Sequence, residues 1–324
     1  MTGMKLLLPL LLLALGGCYA QEKQTRCAIA FYNVENLFDT VDDPRKQDDE
    51  FTPRGAYRYT DKVYQQKLHN IATVISKLDA VLVGLAEVEN NTVLKDLANQ
   101  APLSGRKYKY VWYDSPDPRG IDVALLYDAT RFKVLSSEAI PIQMMGLATR
   151  DVLYVKGILD GDTLHVHVNH WPSRGEGLKE SMHKRRAAAI TNEKNIRRIL
   201  AVNPNGKIII MGDMNDNPDD ESISNILGAK NDKTAKLYNP WYTLHKSGKG
   251  TSVYNRKWDH FDQVIVSHGL VSGKGWRFDK AEIYDADFIR NKGFEDAYPL
   301  RSFKGYHWNN GYSDHLPVIL HLRK

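Results

Sequence analysis

Residues 207–218, KIIIMGDMNDNP, join a continuous apolar run to a cluster of acidic and amide side chains. The run 207–211 has the length and composition of a strand that is buried on both faces. It ends at Gly212 and Asp213, and the Asp, Asn and Pro residues that follow are also ordinary turn formers. Taken alone, Asp213 and Asn215 are therefore either turn residues or functional groups presented at the end of a strand.

Seven further polar residues lie at or close to the ends of other apolar runs. They are Asn33, Glu35, Glu87, His170, Asp262, Asp314 and His315. Their oxygen atoms suit a hard divalent cation, and Mg²⁺ typically takes one or two carboxylates together with water and phosphate oxygens. Zinc is less favoured because no cysteine and histidine cluster has zinc-like spacing, although His165 and His167 alternate on one predicted strand. The set predicts a divalent-cation site, for Mg²⁺ before Mn²⁺ or Ca²⁺, with acid–base groups beside it.

Strands and helices alternate along the chain. Apolar runs predict strands over 28–32, 80–86, 108–113, 121–127, 152–159, 163–168, 207–211, 262–267 and 316–322. A 4-3-4-3 spacing of apolar residues after Thr60 and Asp61 predicts one helix, and residues 181–200 predict a longer one. Because no fixed-period repeat or low-complexity linker occurs, we expect residues 27–324 to form a single domain.

The composition is that of an ordinary globular protein, with 42% hydrophobic and 26% charged residues. It excludes the disordered, collagen-like and coiled-coil classes. Only two cysteines are present, which excludes a disulfide scaffold or a four-cysteine zinc site. The 44 basic and 39 acidic residues give a net charge of +5, which permits a polyanionic substrate without requiring one.

The first twenty residues have the pattern of an export signal. One lysine precedes a short leucine-rich run, and small residues with Cys18 follow it. The run is too short to span a bilayer as a helix. Residues 15–18 resemble a bacterial lipobox, which would make Cys18 a lipid-modified N-terminus, whereas the small residues before position 21 also fit cleavage after Ala20. Either route predicts an exported protein, as an outer-membrane or periplasmic lipoprotein anchored through Cys18 or as a secreted protein.

Six short motifs together resemble the endonuclease/exonuclease/phosphatase superfamily, to which DNase I belongs. They are FYNVEN at 31–36, LAEV at 85–88, VNH at 168–170, GDMN at 212–215, FDQVIVS at 261–267 and SDHLPV at 313–318. Each string is short, but all six occur in the order that the family has. One departure is Ala86, which stands where the family usually has glutamine. The resemblance implies an α/β protein of the α+β type, a four-layer α/β/β/α sandwich with two mixed sheets packed face to face and helices outside.

The resemblance also implies a metal site for phosphoester hydrolysis. A cation on the phosphoryl oxygens and an activated water are what this reaction needs. Glu87 would be the principal metal ligand, with Asn33 and Asp314 close to the metal. Glu35 would assist, since some relatives carry an acidic residue near the metal at this position.

The catalytic groups that the resemblance implies come from the other motifs. Asp262 would fix the tautomer of His315, which would act as general base or contact the phosphate. Asp213 would orient or deprotonate the water, Asn215 would donate to a nonbridging oxygen, and His170 would stabilise developing charge. Which of His315 and Asp213 is the general base stays open.

Two arginines are candidate substrate-binding residues. Arg174 follows His170 by four positions, and its planar guanidinium suits phosphate oxygens. Arg119 lies in a turn-to-strand segment where relatives carry phosphate-contacting residues. In the neighbouring run Lys184–Arg186, a solvated helix face is the simpler interpretation for at least two of the three side chains.

The substrate class follows less directly from the sequence. A nuclease needs a positive surface and stacking side chains beside its site, and the available aromatic residues are Trp171, Tyr254, Trp258, Tyr306 and Trp308. Such residues more commonly cover the rim of a core. We expect a metal-dependent phosphodiesterase acting on nucleic acid, as a monomer without an obligate protein partner. The alternatives are a phosphatase or phosphodiesterase for small phosphoesters, inositol phosphates or phospholipid head groups, and a noncatalytic binding protein.

Overall fold

Two β-sheets packed face to face form the middle of the fold in the computed structural model, which describes residues 25–291 and 298–324. The predicted export segment 1–20, with Cys18, lies outside the described residues. The strands in chain order are β1 (Arg26–Leu37), β2 (Ala80–Val88), β3 (Tyr108–Trp112), β4 (Asp122–Asp128), β5 (Phe132–Ile140), β6 (Val152–Leu159), β7 (Asp162–His170), β8 (Lys207–Asp213), β9 (Ala229–Lys230), β10 (Leu237–Tyr238), β11 (Ser252–Tyr254), β12 (Lys257–Asp259), β13 (Asp262–Ser267), β14 (Arg277–Ile283), β15 (Phe303–Lys304), β16 (His307–Trp308) and β17 (Val318–Arg323).

Both sheets are mixed. The first has six strands in the order β14-β17-β1-β2-β4-β3, in which only β1 and β2 run parallel to each other. The second has seven strands in the order β5-β6-β7-β8-β13-β10-β9, with parallel pairs β7–β8 and β9–β10. Two small hairpins, β11–β12 and β15–β16, lie outside these sheets.

Three helices, α1 (Asp61–Leu78), α2 (Asn91–Ala98) and α3 (Met182–Val202), cover the outer faces of the sheets. Two short helices, α4 (Tyr242–Lys246) and α5 (His268–Ser272), pack Leu244 and Leu270 with the core between the sheets. The apolar faces of α1 and α2 share a core cluster with the first sheet, and α3 shares another with β8 and β13 of the second. The predicted four-layer sandwich with two mixed sheets inside is confirmed. The prediction that residues 27–324 form a single domain stays a prediction.

The alternation of side chains along β1 explains how one strand serves two cores. Ala30 and Tyr32 pack in the cluster under α1, whereas Ile29 and Phe31 pack between the two sheets. A strand that is buried on both faces reads as a continuous apolar run, which is why β1 and β2 were predictable from composition. Thr60 caps α1 as predicted, since its side chain accepts a hydrogen bond from the amide of Val63.

Several elements have no counterpart in the sequence-based predictions. They are the helices α2, α4 and α5, the short strands β9, β10, β11, β12, β15 and β16, and the longer strands β5 and β14. Strands β5 and β14 are sheet edges whose side chains are largely polar and partly exposed, so they lack an apolar run. Within the described ranges, no helix combines the length and the apolar composition that crossing a membrane would need.

Candidate active site

Three polar side chains form a row across neighbouring strands at one end of the space between the sheets. Residues Val168, Met211 and Val264 face the first sheet from β7, β8 and β13. Two positions along each strand, the same side carries His170, Asp213 and Asp262, because side chains alternate with a period of two. The strand registers pair His170 with Asp213 and Asp213 with Asp262. The alternation that builds the core therefore also aligns these three functional groups.

His315 joins this row from the loop before β17. Its Nδ1 lies 2.6 Å from Asp262 Oδ2, and its Nε2 lies 3.8 Å from Asp213 Oδ2. Burial lowers the pKa of His315, but the carboxylates of Asp262 and Asp213 outweigh burial and hold that pKa well above the usual value. The imidazole is thus oriented by Asp262 and directs Nε2 toward Asp213, as predicted for an Asp–His pair.

The facing sheet contributes Asn33 and Glu87. The Asn33 amide donates to Glu87 Oε1 at 3.2 Å and to Asp213 Oδ2 at 3.0 Å. His170 Nε2 lies 3.9 Å and 3.7 Å from the same two oxygens. Burial raises the pKa of Asp213 to about 6, with the charge of His315 opposing that rise. Carboxylates from the two sheets therefore converge on one point between Asn33 and His170.

Left-handed backbone conformations cluster around this point. Glu35, Asn36, Glu87 and Asn215 have φ angles of 51°, 53°, 66° and 49°. Such a conformation costs about 1 kcal/mol or more for a residue with a side chain, and persists where surrounding contacts determine it. Glu87 lies where the register between β2 and β4 shifts. Its carboxylate accepts a hydrogen bond from the backbone N–H of Asn36 at 2.8 Å. The backbone strain is thus concentrated where the functional groups are presented.

The chemistry of the donors fits a hard divalent cation. Glu87 Oε1 and Asp213 Oδ2 approach the same amide, so two carboxylate oxygens lie on one side of the site. Asp213, Asp262 and His315 each offer a ligand atom within 4.8 Å of the others, but the His315–Asp262 hydrogen bond already accounts for two of these groups. Glu87 with Asn33 is therefore the better-founded centre for a metal, and metal binding by these two residues stays a prediction.

The other two predicted metal ligands are engaged by protein donors. Glu35 accepts hydrogen bonds from Arg301 Nε at 3.1 Å and from the amide of Ser302 at 2.7 Å. Asp314 Oδ2 lies 3.1 Å from Arg301 Nη2. Burial, followed by the charge of Asp314, raises the pKa of Glu35. For Glu35 these contacts indicate a positioning role, and metal ligation by Glu35 and Asp314 stays a prediction.

His170 and Asn215 are held by the segment that follows β7. The buried Arg150 donates to the carbonyls of His170 and Trp171 at 3.2 and 2.8 Å, and Asn215 Nδ2 donates to the Trp171 carbonyl at 2.9 Å. Burial, with the charges of Arg150 and Arg119, holds the pKa of His170 well below its usual value. His170 is therefore neutral at pH 7. The amide of Asn215 retains one N–H for a further acceptor.

The two predicted substrate-binding arginines differ in their surroundings. Arg174 donates to the Asn215 carbonyl at 2.7 Å and to Asp216 and Asp220 at 2.9 and 2.5 Å. These contacts indicate that Arg174 fixes the Asn215 loop, and they lend no support to its predicted role in substrate binding. Arg119 is more exposed and makes one long ion pair, 3.6 Å from Asp117. Arg119 remains a candidate for phosphate contact.

Three basic groups around the site were not found from the sequence. Arg150 pairs with Asp117 at 2.8 Å, Arg301 bridges Glu35 and Asp314, and the buried Lys67 donates to Ser302 Oγ at 2.6 Å. None of them lies in a recognisable motif, and Lys67 sits in the middle of α1. Arg185 of the run 184–186 is fully buried against Asp216, whereas its two neighbours pair with glutamates near the surface.

Three of the five aromatic residues that could stack on bases are buried or packed against a core. Trp171 is fully buried, and Trp258 and Trp308 pack against the core under the first sheet. Only Tyr254 and Tyr306 of that set are strongly exposed. His165 and His167 contact Tyr154 and Asn195 and belong to no group of three metal-binding side chains in the described part of the chain.

Comparison with known proteins identifies the family. Residues 28–324 match the Endonuclease/Exonuclease/phosphatase family, and the chain belongs to it. Members of this family are hydrolases of phosphoester bonds and depend on divalent metals.

Individual relatives resemble the chain at low sequence identity. A humanized TDP2 of D. rerio is 14% identical, with a TM-score of 0.60 over 92% of this chain and 99% of that chain. A second D. rerio TDP2 structure, complexed with a single-strand DNA product, is 15% identical with a TM-score of 0.56 over 93% and 100% of the two chains. Mannosyl-6-phosphatase of Bacteroides thetaiotaomicron is 15% identical, with a TM-score of 0.59 over 91% and 99%. Protein angel of Drosophila melanogaster is 21% identical over 211 residues, or 64% of this chain, and the match spans 60% of that relative's length.

Proposed function

We propose that the protein is an exported, Mg²⁺-dependent phosphodiesterase that cleaves nucleic acid. The observation that carries the proposal is the row of His170, Asp213 and Asp262, completed by His315 and facing Glu87 across the gap between the sheets. A row of oriented acid–base groups opposite a carboxylate is an arrangement for hydrolysis, since binding alone does not require oriented acid–base groups.

The protein groups divide the work of hydrolysis between them. Asp213, which faces the point between Asn33 and His315, orients the attacking water and takes up its proton. His315, held by Asp262, directs Nε2–H toward a nonbridging phosphate oxygen, and the free N–H of Asn215 donates to the same group. His170, neutral at pH 7, hydrogen-bonds the leaving oxygen as charge develops on it.

Glu87 and Asn33 would hold the divalent cation. When bound, the cation withdraws charge from the phosphoryl oxygens and so favours attack on an anionic ester. Asp213 accepts a hydrogen bond from the same Asn33 amide, so its carboxylate faces the place where the attacking water would be oriented.

The choice of nucleic acid rests on the rim of the site. Arg119 and Arg301 are partly exposed cations on opposite sides of the row, and Tyr306 offers an exposed ring beside Arg301. Positive charge combined with aromatic stacking surfaces suits the binding of single-stranded nucleic acid. The TDP2 relative that was solved with a single-strand DNA product supports the same substrate class.

A phosphatase acting on small phosphoesters is the second candidate. The similarity to a mannosyl-6-phosphatase favours it, as does a net charge of only +5. Export through the predicted signal, with Cys18 as a lipid anchor or with cleavage after Ala20, suits scavenging of either kind of substrate.

The experiment that tests the function compares substrates side by side. The full chain is assayed with plasmid DNA, single-stranded DNA, RNA, bis-p-nitrophenyl phosphate and p-nitrophenyl phosphate, with Mg²⁺, with Mn²⁺ and with EDTA. We expect EDTA-sensitive cleavage of nucleic acid that is lost in His315→Gln. The matched control is His321→Gln, because His321 lies on β17 and pairs with Glu282 away from the site. Turnover of p-nitrophenyl phosphate with intact nucleic acid would replace the nuclease by the phosphatase, and equal activity in EDTA would contradict the metal site.

A further inference from the structure

A cavity opens beside the proposed catalytic groups. It has a volume of about 380 Å³ and is lined by Asn36, Phe51, Tyr57, Arg301, Phe303 and Tyr306, among others. Four of these six side chains are aromatic. The other two are polar, as is Glu35, which also lines the cavity and accepts a hydrogen bond from Arg301. The cavity is therefore a pocket for a flat apolar group that carries a polar or charged end.

The aromatic wall is anchored in the core. The rings of Phe38 and Phe51 stack with centroids 4.3 Å apart, and those of Phe51 and Tyr57 stack at 4.4 Å with an angle of 9°. Phe38 and Phe51 are buried, whereas Tyr57 is half-buried at the end of this column. The Tyr57 ring thus holds a fixed orientation where the column reaches the cavity.

Tyr306 closes the cavity from the turn of the β15–β16 hairpin. The centroid of its ring lies 5.1 Å from that of Tyr57, and the two ring planes meet at 69°. Even so, 56% of Tyr306 is exposed. Gly305 before it has a φ of 58°, a conformation that suits glycine at a tight turn. The large aromatic side chain of Tyr306 is thus exposed to solvent, although Phe303, three positions earlier, is buried.

Arg301 and Asn36 connect the cavity to the catalytic row. The Arg301 guanidinium lies 3.1 Å from Asp314, which directly precedes His315, and its side chain is 59% exposed. The backbone N–H of Asn36 donates a hydrogen bond to Glu87 Oε2 at 2.8 Å. Two residues that line the cavity therefore contact Glu87 and Asp314, and Asp314 is the chain neighbour of His315.

We propose that this cavity is a nucleobase subsite, in which a base adjoining the scissile phosphate stacks on the exposed ring of Tyr306, with Tyr57 fixed beside that ring, while Arg301 contacts the phosphate. The assignment rests on the proposed function for the identity of the phosphate. Stacking on tyrosine accepts every base, since each base presents a π-face, and contributes about 1–3 kcal/mol per base. The subsite therefore selects nucleotides over phosphoesters without a ring, and does not select among sequences.

A binding measurement tests the subsite without catalysis. The probe is the single-stranded trinucleotide dT-(2-aminopurine)-dT in EDTA, because stacking on an aromatic ring quenches 2-aminopurine fluorescence. We expect Tyr306→Ala to weaken binding roughly tenfold, equivalent to about 1.4 kcal/mol, and Tyr306→Trp to restore it. The matched control is Tyr254→Ala, since Tyr254 is even more exposed than Tyr306 but does not line this cavity. No quenching by the unmodified protein, or equal loss in both alanine variants, would overturn the subsite.

A cleavage measurement separates the subsite from the function. The dinucleotide dTpdT is compared with two analogues that lack the base on one or the other side of the phosphate. We expect Tyr306→Ala to lower kcat/KM on dTpdT roughly tenfold and to leave one of the two abasic analogues within twofold. Cleavage of all three at equal rates would refute the subsite and leave the nuclease intact. Binding that depends on Tyr306 without any cleavage would refute the nuclease and leave a base-binding cavity.

Discussion

Asp262 shows how one buried residue sets the chemistry of the site. It is fully buried, one of its carboxylate oxygens holds His315, and the other has no hydrogen-bond partner among the described residues. A buried carboxylate of this kind is costly unless its charge is paired. The imidazole of His315 supplies that charge, so the two residues stabilise each other.

Removal of the charge on Asp262 is predicted to abolish most of the activity without unfolding the protein. Asp262→Asn keeps the size of the side chain but no longer favours the charged, correctly oriented His315. We expect kcat to fall by roughly 10²- to 10⁴-fold, as for loss of an acid–base group, and Tm to fall as well, because the buried His315 loses its charged partner. Rates and melting curves are compared with Asp279→Asn, a partly exposed control on β14. A fall in kcat below fivefold would contradict the role of the pair.

Arg174 gives the second prediction at this scale. Its guanidinium contacts the Asn215 carbonyl, two carboxylates and the Phe261 ring, whose centroid is 4.6 Å away. Arg174→Ala leaves Asp216 and Asp220 without this partner, and we expect a loss of about 2–3 kcal/mol in the free energy of unfolding. Urea unfolding measures the loss, and Arg197→Ala, an exposed i,i+4 pair, should cost less than 0.5 kcal/mol. A raised KM with unchanged stability would instead establish the substrate-binding role first expected from the sequence.

Individual residues were predictable where a motif presents them at a strand end. Six motif residues meet at one site, namely Asn33, Glu87, His170, Asp213, Asp262 and His315. Arg150, Arg301 and Lys67 were not predictable, because each reaches the site from a segment whose local pattern is that of an ordinary turn, loop or helix. Their partners are known only once the sheets are packed together.

Among the elements, the parallel pair β7–β8 fixes the spacing of the catalytic row. Gly212 permits the close approach of these strands, because a Cβ atom there would overlap the backbone of Asn169. The glycine of the GDMN segment is therefore a packing requirement that places Asp213 beside His170.

Gly212→Ala tests this requirement. The added methyl group must push β7 and β8 apart, so we expect a loss of about 1–3 kcal/mol in stability and a fall in kcat larger than the change in KM. Gly105→Ala is the control, since nothing lies within 4 Å of a Cβ at that position. Wild-type stability and kcat in the Gly212 variant would show that the strands tolerate the separation.

The elements that the sequence predicted share one property, a face or a pair of faces buried in a core. Strands β1, β2, β8 and β13 are buried throughout or nearly so, and α1 has a regular apolar stripe. Edge strand β5 carries exposed Leu135 and several polar residues, so its pairing with β6 decides its conformation. Tertiary pairing, which a single segment does not encode, thus determines the missed elements.

At the scale of the whole molecule, buried histidines tie stability to pH. Burial lowers the pKa values of His165, His167 and His260 to about 4, below the unfolded value of 6.5. The unfolded chain then binds more protons between pH 6.5 and 4, so these groups remove stability as the pH falls through that window. Asp122 acts with the opposite sign. Burial raises its pKa from 3.8 to about 7, so the folded chain binds more protons between these values and stability falls as the pH rises through that window.

A difference measurement isolates one histidine from these opposing effects. His167→Gln keeps a donor for Asn195 Oδ1, which His167 Nε2 contacts at 2.7 Å, but cannot take up a proton. Between pH 7 and 4.5 we expect the wild type to lose about 2–3 kcal/mol relative to this variant. Urea unfolding at each pH gives the difference, and parallel pH profiles would show that His167 does not titrate in the unfolding reaction.

The pairing of β1 with β17 has a consequence for when activity first arises. Arg26 lies opposite Arg323, and Asn33 and His315 both lie just beyond the Phe31–Val318 end of this pairing, so nearly three hundred residues separate the partners along the chain. Contacts of such separation form late, after most of the loop-closure entropy has been spent. The complete set of groups, with Asn33 on β1 and His315 before β17, is therefore assembled only when the last strand of the chain has paired with the first. A chain whose final strand has not yet paired is consequently expected to be inactive.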